Sequence, residues 1–312
     1  MKSVIIYFSL TGNTEKIAMA IQKGVKKVHG HCDIFPIKEA NPRRLYDYDL
    51  IGLGSCVIGA KGDPPANVAS FIRNMRFLGG KHVFSFCTHC TLGFCYNPNV
   101  VRRLKEKGLI PIGWNDWYGH SWGPIHMPTP YPTDGHPDEK DLEEAEEFGK
   151  QMALRSKKIY EGDTSLIPEI PPMPHLDLGD DSILYTLGFS NIVKFHKEKC
   201  VFPECRLCME NCPMDGIDLT VDPPIIANPC ISCYFCEQIC PTGAFDADES
   251  KQEQLANYIR NFIKEVGMKH LKEAEKEGKF VQLIPGEKIN WDTPIYKVYD
   301  KHPRFIIGKG RP

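Results

Sequence analysis

Residues 4–14 read Val-Ile-Ile-Tyr-Phe-Ser-Leu-Thr-Gly-Asn-Thr. The first five are apolar and either β-branched or aromatic, which predicts a strand buried on both faces. Apolar residues then recur at helical spacing, at Ile17, Ile21, Val25 and Val28. The loop between these segments therefore leads from a buried strand directly into the N-terminus of a helix.

The same alternation continues through residue 160. Apolar runs predict further strands at 49–56, 81–87 and 109–114, and helical patterns lie at 71–77, 100–107 and 138–160. Strands that alternate with helices indicate an α/β domain with a parallel sheet covered on both faces. We place this domain at residues 1–162.

The composition limits the class of function. The 312 residues suffice for two ordinary domains, and a formal net charge of −2 gives no electrostatic signal for nucleic acid or an anionic membrane. No apolar run approaches the roughly 20 residues that span a bilayer. The N-terminus lacks the small-residue cleavage site of a signal peptide, so we expect a cytoplasmic protein.

The loop at residues 9–14 matches neither G-x-x-x-x-G-K-[ST] nor G-x-G-x-x-G, the patterns of two common nucleotide-binding loops. It places hydroxyl side chains around one glycine at a helix N-terminus. Backbone N–H groups, hydroxyls and the helix dipole can together bind a phosphate dianion without a cationic side chain. The alternative is an ordinary capped start of a helix.

The pattern S-x-T-G-N-T in this loop resembles the phosphate loop of flavodoxins, whose ligand is FMN. The resemblance implies a flavodoxin-like doubly wound sheet of five parallel strands in the order 2-1-3-4-5. It also implies that the ligand lies beyond the carboxyl ends of the strands, at the topological switch point. The phosphate contacts then fall on Ser9, Thr11, Gly12, Asn13 and Thr14.

The flavodoxin resemblance also implies that two further loops surround the flavin ring. The loop after the third strand supplies Ser55, Cys56, Val57, Ile58 and Gly59. The loop after the fourth strand supplies Thr88, His89, Cys90, Thr91, Gly93 and Tyr96. We expect His89, Cys90 and Thr91 nearest the ring, where an imidazole or a thiol can hydrogen-bond the flavin and tune its potential.

Residues 87–95, Cys-Thr-His-Cys-Thr-Leu-Gly-Phe-Cys, also suggest a metal site. Cys87, Cys90 and Cys95 with His89 have the residue types of a zinc or iron site. We favour the flavin interpretation because the same loop must reach the ring, and a metal there would compete for the space.

A block of cysteines lies between residues 200 and 240. It holds eight of the chain's 13 cysteines, which in a reducing compartment favours metal ligands over disulfides. The stretch 230–241 reads C-x2-C-x2-C-x3-C-P, and the stretch 200–213 repeats it with a first gap of four residues instead of two.

This arrangement resembles bacterial-type ferredoxins with two 4Fe–4S clusters. In that pattern three thiolates come from one repeat and the fourth comes from the other. One cluster is then held by Cys200, Cys205, Cys208 and Cys240, and the other by Cys230, Cys233, Cys236 and Cys212. A pair of zinc sites is the alternative, although zinc does not require this rhythm twice.

The remaining segments complete a four-part organisation. Residues 163–190 read as a Pro-rich linker, 191–248 as the ferredoxin domain, and 249–312 as a C-terminal helix and basic tail that pack on the other domains. The stretch 135–142 resembles a segment of flavodoxin domains fused to ferredoxins in anaerobic bacteria and archaea. The whole chain is similar to that family, whose members are inferred to be electron carriers.

These features predict an electron-transfer flavoprotein that relays low-potential electrons between FMN and two 4Fe–4S clusters. A partner redox enzyme is expected to dock near the acidic ferredoxin domain, and a homodimer is possible. One alternative is a reductase whose small-molecule site is lined by His89 and Tyr96, and another is a redox sensor. No catalytic triad or paired acid and base stands out, so we assign no catalytic residue.

Overall fold

The computed structural model describes residues 1–58, 62–93, 95–120, 128, 130–173, 193–247 and 257–292. The chain divides into two compact units, one formed by residues 1–120 with 135–176 and the other by residues 121–134 with 177–312. Residues 174–190 of the predicted linker and residues 293–312 of the predicted C-terminal tail lie outside the described residues. The domain boundaries expected from the sequence therefore remain predictions.

The first unit is built on a five-stranded parallel sheet. Its strands are β1 (Ser3–Phe8), β2 (Asp33–Pro36), β3 (Leu50–Cys56), β4 (His82–His89) and β5 (Ile110–Tyr118). They are ordered β2-β1-β3-β4-β5, which confirms the predicted doubly wound topology. The helices are α1 (Asn13–His29), α2 (Ala66–Asn74), α3 (Tyr96–Glu106) and α4 (Glu139–Tyr160).

Two glycines allow α1 and α4 to approach closely. A Cβ at Gly24 would lie 1.8 Å from the backbone oxygen of Glu146, and a Cβ at Gly149 would lie 2.2 Å from that of Ile21. Neither position tolerates a side chain without a shift of backbone. The pair of helices thereby covers one sheet face, where Ile21 and Trp117 belong to the same core.

Two element boundaries differ from the sequence prediction. Strand β5 continues to Tyr118 instead of ending near residue 114, because it stays paired with β4 up to His89. Trp117 therefore lies in the core rather than in a loop, with 2% of its surface exposed. Helix α3 begins at Tyr96, so this residue opens a helix and is not part of the preceding loop.

The second unit is smaller and has little regular structure. Strands β6 (Val193–Phe195) and β7 (Phe245–Ala247) pair antiparallel, and two short helices, α5 (Leu207–Asn211) and α6 (Phe235–Ile239), carry cysteines. A later helical segment spans 257–276 and includes a π-helical turn at Ile263–Gly267 followed by α7 (Met268–Lys276). None of the helices in the described ranges combines the length and apolar character needed to cross a membrane.

The close contact between α1 and α4 predicts the effect of a single methyl group. Gly149→Ala should lower the free energy of unfolding by about 1–3 kcal/mol, because its Cβ meets backbone rather than a movable side chain. Urea unfolding followed by tryptophan fluorescence measures this change. Gly79→Ala is the control, since its nearest neighbour is the exposed ring of Phe77. Equal effects of the two substitutions would contradict the packing argument.

Candidate functional site

The loop after β1 is shaped by a left-handed glycine. Gly12 has φ 92° and precedes α1, and its N–H donates to the Ser9 hydroxyl oxygen at 3.0 Å. No side chain caps α1. The first N–H groups of a helix have no partner within the helix. Those of α1 are therefore suited to bind a ligand beyond the end of β1.

Buried polar contacts hold this loop in place. The hydroxyl oxygens of Thr14 and Thr88 lie 2.7 Å apart, which joins the start of α1 to the end of β4. Asn13 Nδ2 donates to the backbone oxygen of His120 at 3.2 Å. Asn13 Oδ1 is buried and has no hydrogen-bond partner among the described residues. Asn13 Oδ1 is therefore a hydrogen-bond acceptor at the edge of the sheet that is suited to a bound molecule.

The loop after β3 lies against the same edge. Val57 N–H donates to the backbone oxygen of Thr88 at 2.9 Å, and the buried Ser55 hydroxyl donates to the backbone oxygen of Cys56 at 2.7 Å. Burial raises the pKa of Cys56 to about 12, so this thiol stays neutral near pH 7. Ile58 is half-buried, and Gly59 lies outside the described residues.

The segment after β4 contributes an imidazole and a close-packed glycine. His89 ends β4 with its ring buried, and its Nε2 lies 2.9 Å from Asp116 Oδ2 on β5. A Cβ at Gly93 would lie 2.1 Å from His89 Cδ2, so the loop packs directly on the ring. Cys90 is half-buried, and Thr91 is buried with its hydroxyl oxygen 3.9 Å from the Cys90 sulfur. Tyr96 is fully buried at the start of α3.

The three segments thus converge at the carboxyl edge of the sheet, as the sequence predicted for the loops. Sequence reasoning missed Asp116, which holds His89. Asp116 is a charged residue within a mostly apolar and aromatic strand, which is a pattern that sequence reasoning can use. It was not recognised because the strand was predicted to end near residue 114.

The preference for a flavin loop over a metal site at residues 87–95 stays a prediction. Cys87 is fully buried within β4, where burial raises its pKa well above the usual range. Among the described residues, the group of three ligand atoms within 4.8 Å of one another is His136, Asp138 and Asp141, not the cysteines of this loop. In that group Asp138 and Asp141 form the N-terminal capping box of α4, and His136 Nδ1 lies 2.6 Å from Asp141 Oδ2.

Two thiols of the cysteine block interact with two different sets of three cysteines. Burial, followed by the charges of Cys240, Cys200 and Cys205, raises the pKa of Cys208 to about 12. Burial, followed by the charges of Cys233, Cys230 and Cys212, raises the pKa of Cys236 well above its usual range. For these two thiols, the interacting cysteines are the partners that the ferredoxin pattern implies. We call the two groups the Cys208 set and the Cys236 set.

Backbone N–H groups point at several of these sulfurs. Gly216 N–H lies 3.3 Å from the Cys212 sulfur, Ser232 N–H lies 3.2 Å from that of Cys230, and Ala244 N–H lies 3.2 Å from that of Cys240. Such donors stabilise negative charge on sulfur. Although burial opposes it, the hydrogen bonds led by Thr242 lower the pKa of Cys240 overall.

Comparison with known proteins finds different relatives for different parts of the chain. The family described as Flavodoxin domain matches residues 4–107. A protein named Probable flavodoxin 2 from Bacillus subtilis is 26% identical over 161 residues, 50% of this chain and 96% of that protein. A protein named Uncharacterized ferredoxin from Methanocaldococcus jannaschii is 43% identical over 47 residues, 14% of this chain and 76% of that protein.

Among solved structures, a flavodoxin from Streptococcus pneumonia TIGR4 is similar with 18% identity and a TM-score of 0.41, over 50% of this chain and 99% of that chain. The two sequence relatives match different parts of the chain, the flavodoxin at the N-terminal half and the ferredoxin at the C-terminal part. The chain therefore combines a flavodoxin domain with a C-terminal part that belongs to the ferredoxins, which fits a flavodoxin–ferredoxin fusion and an electron-transfer flavoprotein with iron–sulfur features.

Proposed function

We propose that this chain relays electrons between an FMN bound by the first unit and two 4Fe–4S clusters bound by the second. The observation that carries the proposal is the grouping of eight thiols into the Cys208 set and the Cys236 set. Each set draws three sulfurs from one repeat and one from the other, as two cubane clusters require.

The pattern of the cysteines favours clusters over zinc. A zinc ion needs four ligands and does not require the C-x2-C-x2-C-x3-C-P rhythm twice. Two cubane clusters use all eight thiols of the two repeats.

The phosphate loop fits an FMN phosphate. The N-terminus of α1 has no side-chain cap, and buried hydroxyls of Ser9, Thr11 and Thr14 surround it. The unpartnered Asn13 Oδ1 adds an acceptor for a ligand hydroxyl. Residues 9–14 would hold the phosphate, while the segments at 55–59 and 88–93 would surround the ring. The predicted contact of Tyr96 with the ring is not favoured, because this residue is fully buried at the start of α3.

The cofactors would supply complementary electron chemistry, because FMN exchanges one or two electrons and each cluster exchanges one. The chain would contribute the electrostatic environment of these cofactors. Burial keeps the thiols of Cys56 and Cys87 neutral, so they add no negative charge beside the flavin site. Tyr96 is fully buried, which does not favour the alternative of a substrate site at this residue.

The charges of the second unit suggest the kind of partner. Exposed carboxylates line the segment between the first and last predicted cluster ligands, at Glu204, Glu210, Asp215 and Asp222. Arg206 is the one Lys or Arg between residues 200 and 240. Such a surface fits a redox protein with a basic docking patch, and association with it should weaken at high salt.

Metal and flavin analysis tests the proposal. Protein purified without oxygen should contain about eight iron atoms and eight sulfides per chain, one FMN, and no stoichiometric zinc. Iron is measured by plasma emission and flavin by absorbance after acid release. An iron-free chain that carries zinc would contradict the cluster assignment, and a chain that takes up no FMN would contradict the flavin assignment.

A single ligand substitution should remove one cluster. Cys233→Ser breaks the Cys236 set and should lower iron to about four atoms per chain while the FMN content is kept. Cys90→Ser is the matched control, since this half-buried thiol lies outside both sets. Iron content that is unchanged in the Cys233 variant, or equally reduced in both variants, would contradict the assignment.

The phosphate loop can be tested with two ligands. Thr14→Val removes a buried hydroxyl and should weaken FMN binding by about tenfold, with little effect on riboflavin, which lacks the phosphate. Fluorescence titration of the flavin-free protein measures both affinities, and Thr164→Val at an exposed site is the control. Equal weakening of FMN and riboflavin would show that this loop does not bind the phosphate.

A further inference from the structure

We propose that His89 accepts a hydrogen bond from a ring N–H of the flavin, and that Asp116 is the positioning residue that keeps His89 in the accepting tautomer. The inference rests on the proposed FMN site. His89 is the last residue of β4, at the carboxyl edge of the sheet where the three loops converge. Asp116 reaches it from the neighbouring strand β5.

The surroundings of the imidazole leave one nitrogen for a ligand. Nε2 lies 2.9 Å from Asp116 Oδ2, and Gly93 packs on the Cδ2 edge of the ring. Tyr118 contacts the ring edge-to-face, with centroids 4.7 Å apart. The side chain is only 3% exposed, and its Nδ1 is buried without a hydrogen-bond partner among the described residues. Buried polar atoms are seldom left unpaired, so Nδ1 is suited to a bound molecule.

The Asp116 carboxylate determines whether Nδ1 of His89 donates or accepts a hydrogen bond. An ionised Asp116 only accepts hydrogen bonds, so the neighbouring Nε2 must carry the proton. In a neutral imidazole Nδ1 then has a free lone pair and acts as an acceptor. A flavin ring offers an N–H in its oxidised state and gains another when it is reduced. An accepting Nδ1 is therefore matched to a ring N–H and not to the ring carbonyls.

Asp116 is also suited to this role by its position. Its carboxylate is 41% exposed at the solvent side, while the His89 side chain is 3% exposed. The chain holds a second His–Asp pair at the same distance, His31 Nε2 to Asp33 Oδ1 at 2.9 Å, but there the imidazole is 71% exposed. That pair lies beside β2 at the edge of the sheet and provides a matched control.

The test compares Asp116→Asn with His31→Gln and His89→Phe. In flavin-free protein, nitrogen NMR of the imidazole should show the Nε2–H tautomer of His89 in the wild type and a loss of that preference in Asp116→Asn. FMN affinity should fall by about tenfold in Asp116→Asn and in His89→Phe, and stay unchanged in His31→Gln.

Affinities for the oxidised and reduced flavin identify the donor. Equal losses of affinity in the oxidised and reduced states point to the ring N–H that is present in both. A tenfold loss of affinity confined to the reduced state points to the N–H that reduction adds, and corresponds to about 30 mV in a two-electron potential. A tautomer change in Asp116→Asn with unchanged affinity in both states would overturn the inference while leaving FMN binding intact. A wild-type chain that binds no FMN would overturn the proposed function and this inference with it.

Discussion

The packing of ligand thiols in its small core is the constraint on which the second unit depends. Five of the eight cysteines, Cys200, Cys208, Cys212, Cys236 and Cys240, pack in or against its small core, where other proteins place apolar side chains. As neutral thiols they are weak acceptors for the N–H groups aimed at them, and as thiolates they repel one another. Cationic iron would resolve both problems, so folding of this unit should be coupled to cluster assembly.

The proposed phosphate site of the first unit has a different requirement, because it must bind an anionic group without a cationic side chain. The parallel sheet brings the ends of β1, β3 and β4 to one edge, and the contacts Thr14–Thr88 and Val57–Thr88 tie the three segments together. The left-handed Gly12 then turns the chain into α1, and as the N-cap residue it has no side chain to cap the helix. An arrangement fixed in this way before binding loses little entropy when the ligand arrives.

Much of this architecture was predictable because the signals are local. The apolar runs and the glycine at the start of α1 determine the strands, the helices and the phosphate loop, and the cysteine spacing determines which thiols become neighbours. The continuation of β5 was not predictable, since Asn115 and Asp116 interrupt the apolar pattern and only pairing with β4 keeps the strand extended. The His89–Asp116 pair was missed for the same reason. The paired glycines of α1 and α4 were likewise invisible, because their role depends on contact between helices distant in sequence.

The central claim is that electrons pass between the flavin and the clusters of the same protein. Rapid mixing of the oxidised protein with a one-electron reductant, followed by absorbance of the flavin and of the clusters, tests it most directly. The account predicts that the two signals re-equilibrate in a first-order process whose rate does not depend on protein concentration. A rate proportional to protein concentration, or clusters and flavin that are reduced without exchange between them, would contradict it.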